Sequence, residues 1–252
     1  MEFLKYIIKK ILSPQSGLYQ WLKNSYYRLG ASWRPVYITD LDDILRQYAA
    51  LRESNVFFIN IGANDGITED PIAEYVKKHQ WKGIMVEPVG YLFERLKQNY
   101  QGFSIAFENS AIAKQTGKQK FYRTAPSLAL PDYYERMGTL NKHFLLQHGA
   151  GTPNLKDYII EEEINCLSFN DLKNKYQFSQ AQLILIDTEG QDAEILQSID
   201  LQALNTEIVI FEHIFLSFSS YKKILLLLRK QGFKAYRVGR DTIGVKNTLS
   251  LT

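Results

Sequence analysis

The segment Val56-Phe57-Phe58-Ile59-Asn60-Ile61-Gly62-Ala63-Asn64-Asp65-Gly66 constrains this chain more than any other. An apolar run of β-branched and aromatic residues that stops at a glycine reads as a parallel strand covered on both faces, and residues 67–78 after it read as a helix. Gly62 and Gly66 let backbone amides approach a ligand at the strand's carboxyl end, where nucleotide-like groups bind in open α/β sheets. The spacing is G-x-x-x-G and not the G-x-G-x-x-G of dinucleotide enzymes, and no Gly-Lys-Ser/Thr follows to make a phosphate loop. Lys82 to Val86 read as a second short strand that ends in Glu87-Pro88. An acid about twenty residues beyond the glycine turn suits acceptance of both hydroxyls of a ribose.

With 252 residues, 45% of them hydrophobic, the chain can bury a sizeable core. The simplest partition is an N-terminal helical arm over residues 1–52 and one α/β domain over 53–252. The net charge of +3 is uneven: residues 1–35 carry Lys5, Lys9, Lys10, Lys23, Arg28 and Arg34 against Glu2, a net of +5 that leaves −2 for the rest. That balance, with no basic stripe on the main domain, argues against a nucleic-acid partner. Cys166, the single cysteine, lies in a strand-like stretch and reads as a buried structural thiol; no disulfide framework is possible, which fits a cytoplasmic protein.

Phe3, Leu4, Ile7, Ile8, Ile11 and Leu12 recur at helical spacing opposite lysines, so residues 1–14 form an amphipathic helix. Too broken by lysine to span a bilayer, it suits either an anionic membrane surface or packing on the domain or a second copy of the chain, as in a homo-oligomer. Asp40 to Leu51 read as a polar helix. Tyr91 to Tyr100 carry apolar residues at helical spacing, as in a βαβ crossover, and Phe103 to Glu108 would be the third strand. Asn109-Ser110-Ala111 follow, small and polar enough to meet an adenine edge. Gln119 to Arg123 suggest a short extra strand, and residues 124–157 then show no firm pattern. A stretch of that length in a compact domain is a lid or insert, and it holds Tyr133, Tyr134, Arg136, His143 and His148, here expected to select the substrate.

Strand character returns at Ile164 to Phe169, followed by a short helix from Asn170 to Tyr176. Leu183 to Ile186 form a core strand that stops at Asp187-Thr188-Glu189-Gly190, and Glu207 to Phe211 another that stops at Glu212-His213. Lys234 to Val238 and Thr242 to Val245 read as a closing antiparallel hairpin. Successive strands thus end in Gly62/Asp65, Glu87, Asn109, Asp187/Glu189 and Glu212/His213, which a parallel sheet places along one edge as an acid-lined cleft.

These residues resemble the FkbM-type methyltransferases of the S-adenosylmethionine-dependent class I. The resemblance rests on Ile59 to Gly66, on Val86-Glu87-Pro88 and on Leu185 to Gly190 with Glu194-Ile195-Leu196, and it covers about Val56 to Val245. It implies a Rossmann-like α/β fold, with a mostly parallel seven-stranded sheet and a C-terminal antiparallel hairpin. It also implies that Gly62, Asn64, Asp65 and Gly66 hold the methionine part of S-adenosylmethionine, that Glu87 takes the ribose, and that Asn109, Ser110 and Ala111 lie near the adenine. Asn60 stands where the family often has an acid, so Asp65 or Asp187 is left to face the cofactor's amino group.

The activity so implied is O-methylation of a hydroxyl on a sugar, a glycan or a small natural product. An aliphatic hydroxyl must lose its proton to a base or to the field of a metal. Asp187, Glu212 and His213 are the candidate catalytic groups; Asp187, Glu189, Glu212 and His213 offer hard ligands suited to Mg²⁺ or Mn²⁺. A nucleic-acid base methyltransferase is disfavoured, since no Asn/Asp-Pro-Pro-aromatic stretch ends the fourth strand. A non-catalytic nucleoside-binding module is the alternative.

Overall fold

The computed structural model describes residues 34–125, 130–148, 152 and 154–251. Residues from Val36 onward form one compact unit, divided from Met1–Pro35. The amphipathic helix expected at residues 1–14 lies outside the described residues, among which no helix is long and apolar enough to cross a membrane.

The main sheet contains β1 (Val36–Tyr37), β2 (Phe57–Ile61), β3 (Lys82–Val86), β4 (Ile105–Glu108), β9 (Leu183–Ile186), β10 (Ile208–Glu212), β11 (Phe233–Val238) and β12 (Asp241–Lys246). Its order is β1-β11-β12-β10-β9-β2-β3-β4. From β10 to β4 every pairing is parallel, while β12 runs antiparallel to both β10 and β11. The seven expected strands are all present; the eighth, β1, adds a two-residue parallel edge to β11. The chain winds β2-β3-β4 in one direction and then returns to lay β9 and β10 on the other side of β2. That reversal leaves a crevice at the carboxyl ends of β2 and β9, the place where open α/β sheets bind ligands.

Alternate residues along the strands build one face of the core: Phe58, Met85, Leu183, Leu185, Ile208, Ile210, Ile243 and Val245 are buried in a single cluster. The helix α1 (Asp42–Arg52) closes it with Leu45 and Tyr48, and α2 (Ala73–His79) with Tyr75 and Val76. The expected arm of residues 1–52 therefore loses its last helix to the domain. The Tyr48 hydroxyl donates to Glu207 at 3.0 Å, as does Nε of Arg52 at 2.8 Å, so α1 is pinned to the entry of β10. The helix α3 (Gly90–Asn99) follows β3 as expected.

After β2, helix begins only at Ala73, not at residue 67. Asp65 accepts the amides of Ile67 and Thr68 at 2.9 and 2.8 Å, Asp70 accepts that of Ile72 at 2.8 Å, and Pro71 intervenes, so the backbone turns on side-chain acceptors instead of coiling.

Residues 124–157 are not structureless. A second sheet, β5 (Ala111–Ile112), β8 (Ile159–Leu167), β6 (Gly117–Thr124) and β7 (Gly138–Thr139) in that order, spans either side of them. The long β6–β8 ladder carries exposed Lys118–Glu163 and Lys120–Glu161 pairs, and Cys166 on β8 is buried as expected. A 3₁₀ turn (Asp132–Arg136) and α4 (Lys142–His148) complete the insert, whose Tyr134, Met137, Phe144 and Leu145 form a small core of their own. Beyond it come α5 (Phe169–Tyr176), α6 (Asp192–Gln197) and α7 (Phe218–Lys230). Ser168 and Ser217 cap α5 and α7 by accepting the amides of Asp171 and Ser220.

Leu45→Ala should cost about 2–5 kcal/mol of unfolding free energy by denaturant titration, because it empties a site deep in the core. An unchanged midpoint would return α1 to the arm.

Candidate active site

Gly62 ends β2 with φ +84°, and a β-carbon there would lie 1.8 Å from the carbonyl oxygen of Asp187. Only glycine lets the two strand ends come so close. The amides of Gly62 and Ala63 both donate to the Val86 carbonyl at 2.9 Å, and that of Asp187 to Ile61 at 2.9 Å, so the ends of β2, β3 and β9 are locked together. Above them opens a cavity of about 660 Å³, large enough for a nucleoside with a second small group beside it.

The cavity floor is made by the ends of five strands. Gly62 and Asn64 follow β2, Glu87 follows β3, Ser110 and Ala111 lie where the turn after β4 enters β5, Asp187 and Glu189 follow β9, and Glu212 ends β10. Tyr133, Arg136, Met137, Gly138, Thr139 and Leu140 of the insert close it from above. Thr139 Oγ1 donates to the Glu189 carbonyl at 2.9 Å, which ties β7 to the loop after β9. Arg240 and Asp241, from the β11–β12 turn, complete the wall beside Ile214 and Phe215.

Glu87 is buried and accepts the amides of Asn64 and Val89, both at 2.8 Å, one on each carboxylate oxygen. Each oxygen keeps a lone pair for a ligand hydroxyl. Burial pushes its pKa up to about 7, a rise those two hydrogen bonds resist and the Asp187 charge adds to. Ser110 is buried with its hydroxyl unpartnered, and it faces the same cavity. Buried hydroxyls are seldom left so, which fits a polar ligand edge at this end of the site.

Asp187 lies deep in the molecule yet is open to the cavity, and its surroundings raise its pKa above the ordinary carboxylate range. Burial likewise raises Glu189 well above its usual value, Asp192 to about 7 and Glu212 to about 8, with the Asp187 charge adding to each. Nε and Nη2 of Arg240 both donate to Oε1 of Glu212, at 2.8 and 2.7 Å, while Oε2 is buried without a partner. Asp192, which does not reach the cavity, accepts Thr188 Oγ1 at 3.0 Å and the Glu212 amide at 3.2 Å and so braces both acidic loops.

Four expected site residues lie elsewhere. Asp65 is spent on its own turn, taking the Thr68 hydroxyl at 2.7 Å as well as two amides; those bonds outweigh its partial burial and hold its pKa below the ordinary value. Gly66 packs against Leu96 and Tyr100, and Asn109 turns its amide back onto the Glu87 and Pro88 carbonyls at 2.9 and 3.1 Å. His213 follows Glu212 on a strand end, so the period of two sends it to the opposite face. There it stacks on Tyr221 at 5.0 Å with Nδ1 3.1 Å from Thr242 Oγ1, and burial lowers its pKa to about 4.

His213 therefore joins no ligand set with Asp187, Glu189 and Glu212. Among the described residues no group of three or more His, Cys, Asp or Glu is arranged to hold a metal ion. Of the insert's residues, Tyr133 and Arg136 reach the cavity, Tyr134 is buried beneath, and His143 is exposed away from it. The side chain of His148 lies outside the described residues.

Asp70 and Arg240 were not singled out by the sequence. Asp70 accepts Asn60 Nδ2 at 2.7 Å, and burial of its carboxyl raises its pKa to about 7. The clue was Asn60, a lone amide in an apolar strand that needs a partner. Arg240 stood in plain view in the hairpin turn opposite Glu212, but only the pairing of β10 with β12 brings the two together.

Asp70, Glu87, Asp192 and Glu212 all have folded pKa values above their unfolded ones. Their protonated forms stabilise the fold, and that contribution is lost as pH rises through about 7 to 8. His213 is neutral throughout this window. Thermal unfolding followed by circular dichroism should give a lower midpoint at pH 8.5 than at pH 6.5; a flat or rising profile would contradict these assignments.

Residues 60–235 match the sequence profile of the methyltransferase FkbM domain. Solved structures with a similar course include a methyltransferase FkbM from Methylobacillus flagellatus KT, at 12% identity and TM-score 0.48 over 88% of this chain and 50% of that one. The chain thus spans about half the length of that protein. Others are a caffeoyl-CoA O-methyltransferase homologue from Staphylococcus aureus (14% identity, TM-score 0.41, 96% and 98% of the two chains) and an O-methyltransferase from Bacillus cereus in complex with SAH (9%, 0.38, 96% and 97%). No curated protein matches the sequence. The profile match runs from the end of β2 into β11, more than half of the chain, and the chain belongs to the FkbM methyltransferase family.

Proposed function

We propose that the chain is an S-adenosylmethionine-dependent O-methyltransferase whose acceptor is a hydroxyl of a sugar, a glycan or a small natural product. The observation that carries this reading is the pairing of Glu87 with the Gly62–Asn64 turn at the mouth of one cavity. A carboxylate fixed by two amides, with lone pairs to spare, suits the two hydroxyls of a ribose. Ser110 and Ala111 would meet the adenine, and the Gly62 to Asn64 turn the methionine part. Asp187 and Asp70, both facing the cavity, are the carboxyls available to its ammonium group. The donor set fits the cofactor: its net positive charge suits a cavity with more carboxyls than cations. When bound, S-adenosylmethionine supplies an electrophilic methyl group.

The chain's own task is to orient the acceptor and take its proton. Arg240 grips Oε1 of Glu212 and fixes the plane of the carboxyl; Oε2, buried and without a partner, would receive the hydroxyl proton once the bound acceptor shifts the side chains that cover it. A carboxylate whose pKa is raised to about 8 is a stronger base than an ordinary one, and it is still ionised to a useful extent near neutral pH. Tyr133 and Phe215 present aromatic surface, and Thr139 polar surface, on the acceptor's side.

Glu87→Gln should weaken S-adenosylhomocysteine binding by about 1.5–3 kcal/mol in calorimetric titration; unchanged affinity would remove Glu87 from the site. Once an acceptor is found, kcat/KM should rise with pH and level off above about 8, as the base becomes ionised. Glu212→Gln should cost about 10²- to 10⁴-fold and flatten that rise. A variant that keeps the wild-type pH profile would assign the base elsewhere.

A further inference from the structure

We infer that Arg136 binds the α-carboxylate at the amino-acid end of the cofactor, an inference that rests on the cofactor reading above. The amino-acid end carries two opposite charges. For its ammonium the cavity offers carboxyls on several sides. Its carboxylate must instead find a cation, and among the described residues lining the cavity only Arg136 and Arg240 carry one.

The two arginines are not equally available. Arg240 is held by two nitrogens on Glu212, whose carboxyl is buried, so drawing it away would leave a buried carboxyl without its partner. Among the described residues Arg136 makes one ion pair, Nη2 to Oε2 of Glu69 at 3.1 Å, and the Glu69 side chain is 78% exposed. An exposed pair of this kind contributes little, and Glu69 can return to water at small cost. Exchange of that partner for a ligand carboxylate is therefore easy, and a guanidinium can meet a carboxylate with two parallel hydrogen bonds.

Position agrees with availability. Arg136 ends the 3₁₀ turn of the insert and faces the loop after β2, where Asn64, Thr68 and Asp70 line the same cavity. It also borders the small neighbouring recess with Asn64, Asp65 and Thr68, beside the glycine turn assigned to the methionine part. Its charge reaches Asp187 on the floor and Asp65 at the rim. Arg136 would thus tie the insert to the bound cofactor.

The test compares two ligands that share a nucleoside: S-adenosylhomocysteine, and 5′-methylthioadenosine, which lacks the amino acid. Calorimetric titration of Arg136→Gln should show S-adenosylhomocysteine binding weakened about ten- to hundredfold, with methylthioadenosine within about twofold of wild type. Arg136→Lys should recover part of the loss. Glu69→Gln, an exposed change that removes the competitor without touching the core, should strengthen S-adenosylhomocysteine binding and leave methylthioadenosine alone. Equal losses for both ligands in Arg136→Gln, no loss for either, or weaker S-adenosylhomocysteine binding in Glu69→Gln would overturn the inference. Wild-type protein that binds both ligands equally would sink the Arg136 assignment alone; wild-type protein that binds neither would remove the cofactor reading and this inference together.

Discussion

Among the described residues, the tightest approach that only glycine permits is that of Gly62 to the Asp187 carbonyl. It sits where the strand order reverses, between β2 and β9, and it sets how tightly the two halves of the sheet meet at their carboxyl ends. Everything chemical lies within reach of that junction. Glu87 is positioned by the amide of Asn64, two residues beyond Gly62; Asp187 is held by its own amide on Ile61; Glu212 follows from the register of β10 on β9. A larger residue at position 62 would part the strands and unseat these groups together.

The second constraint is electrostatic. Several carboxyls line one cavity with two arginines, and burial disfavours ionising them all, which raises the pKa values of Glu87, Asp187, Glu189 and Glu212. Such a cavity is held at a cost in stability that a positively charged ligand would relieve, so the carboxyls favour a cationic cofactor over a neutral nucleoside. It also divides labour among acids of the same type. Glu87 is fixed by two amides and Glu212 has one oxygen held and one without a partner, which suits the binding and proton-accepting roles proposed for them, while Asp192 is bonded on both oxygens to the neighbouring loops.

Much of this was legible in the chain. The runs Phe57–Ile61, Lys82–Val86 and Leu183–Ile186 fold as strands within a residue of where their apolar stretches begin and end, because a strand buried on both faces tolerates a polar residue only where it finds a partner, as Asn60 does in Asp70, and its end is abrupt. Less legible were features that depend on distant pairing. Strand character is evident in the sequence only from Ile164, yet β8 begins at Ile159, because β6 supplies Lys118, Lys120 and Arg123 to pair with Glu161 to Glu163. The polar helix α1 looks separable until Tyr48 and Arg52 meet Glu207. The orientation of His213 was written in the sequence all along, since neighbours on a strand face opposite ways. Asp65 and Asp70 could not be told apart by type or spacing; only the loop's own hydrogen bonds show that the first is used up and the second faces the cavity.

Calorimetric titration of the wild-type chain with S-adenosylhomocysteine near neutral pH tests the central claim most directly, because it asks whether the junction of β2, β3 and β9 binds the nucleoside without any knowledge of the acceptor. One site of micromolar affinity, about −8 kcal/mol, is the expected result. Absence of binding heat across that range, in protein whose cooperative unfolding shows it to be folded, would contradict it.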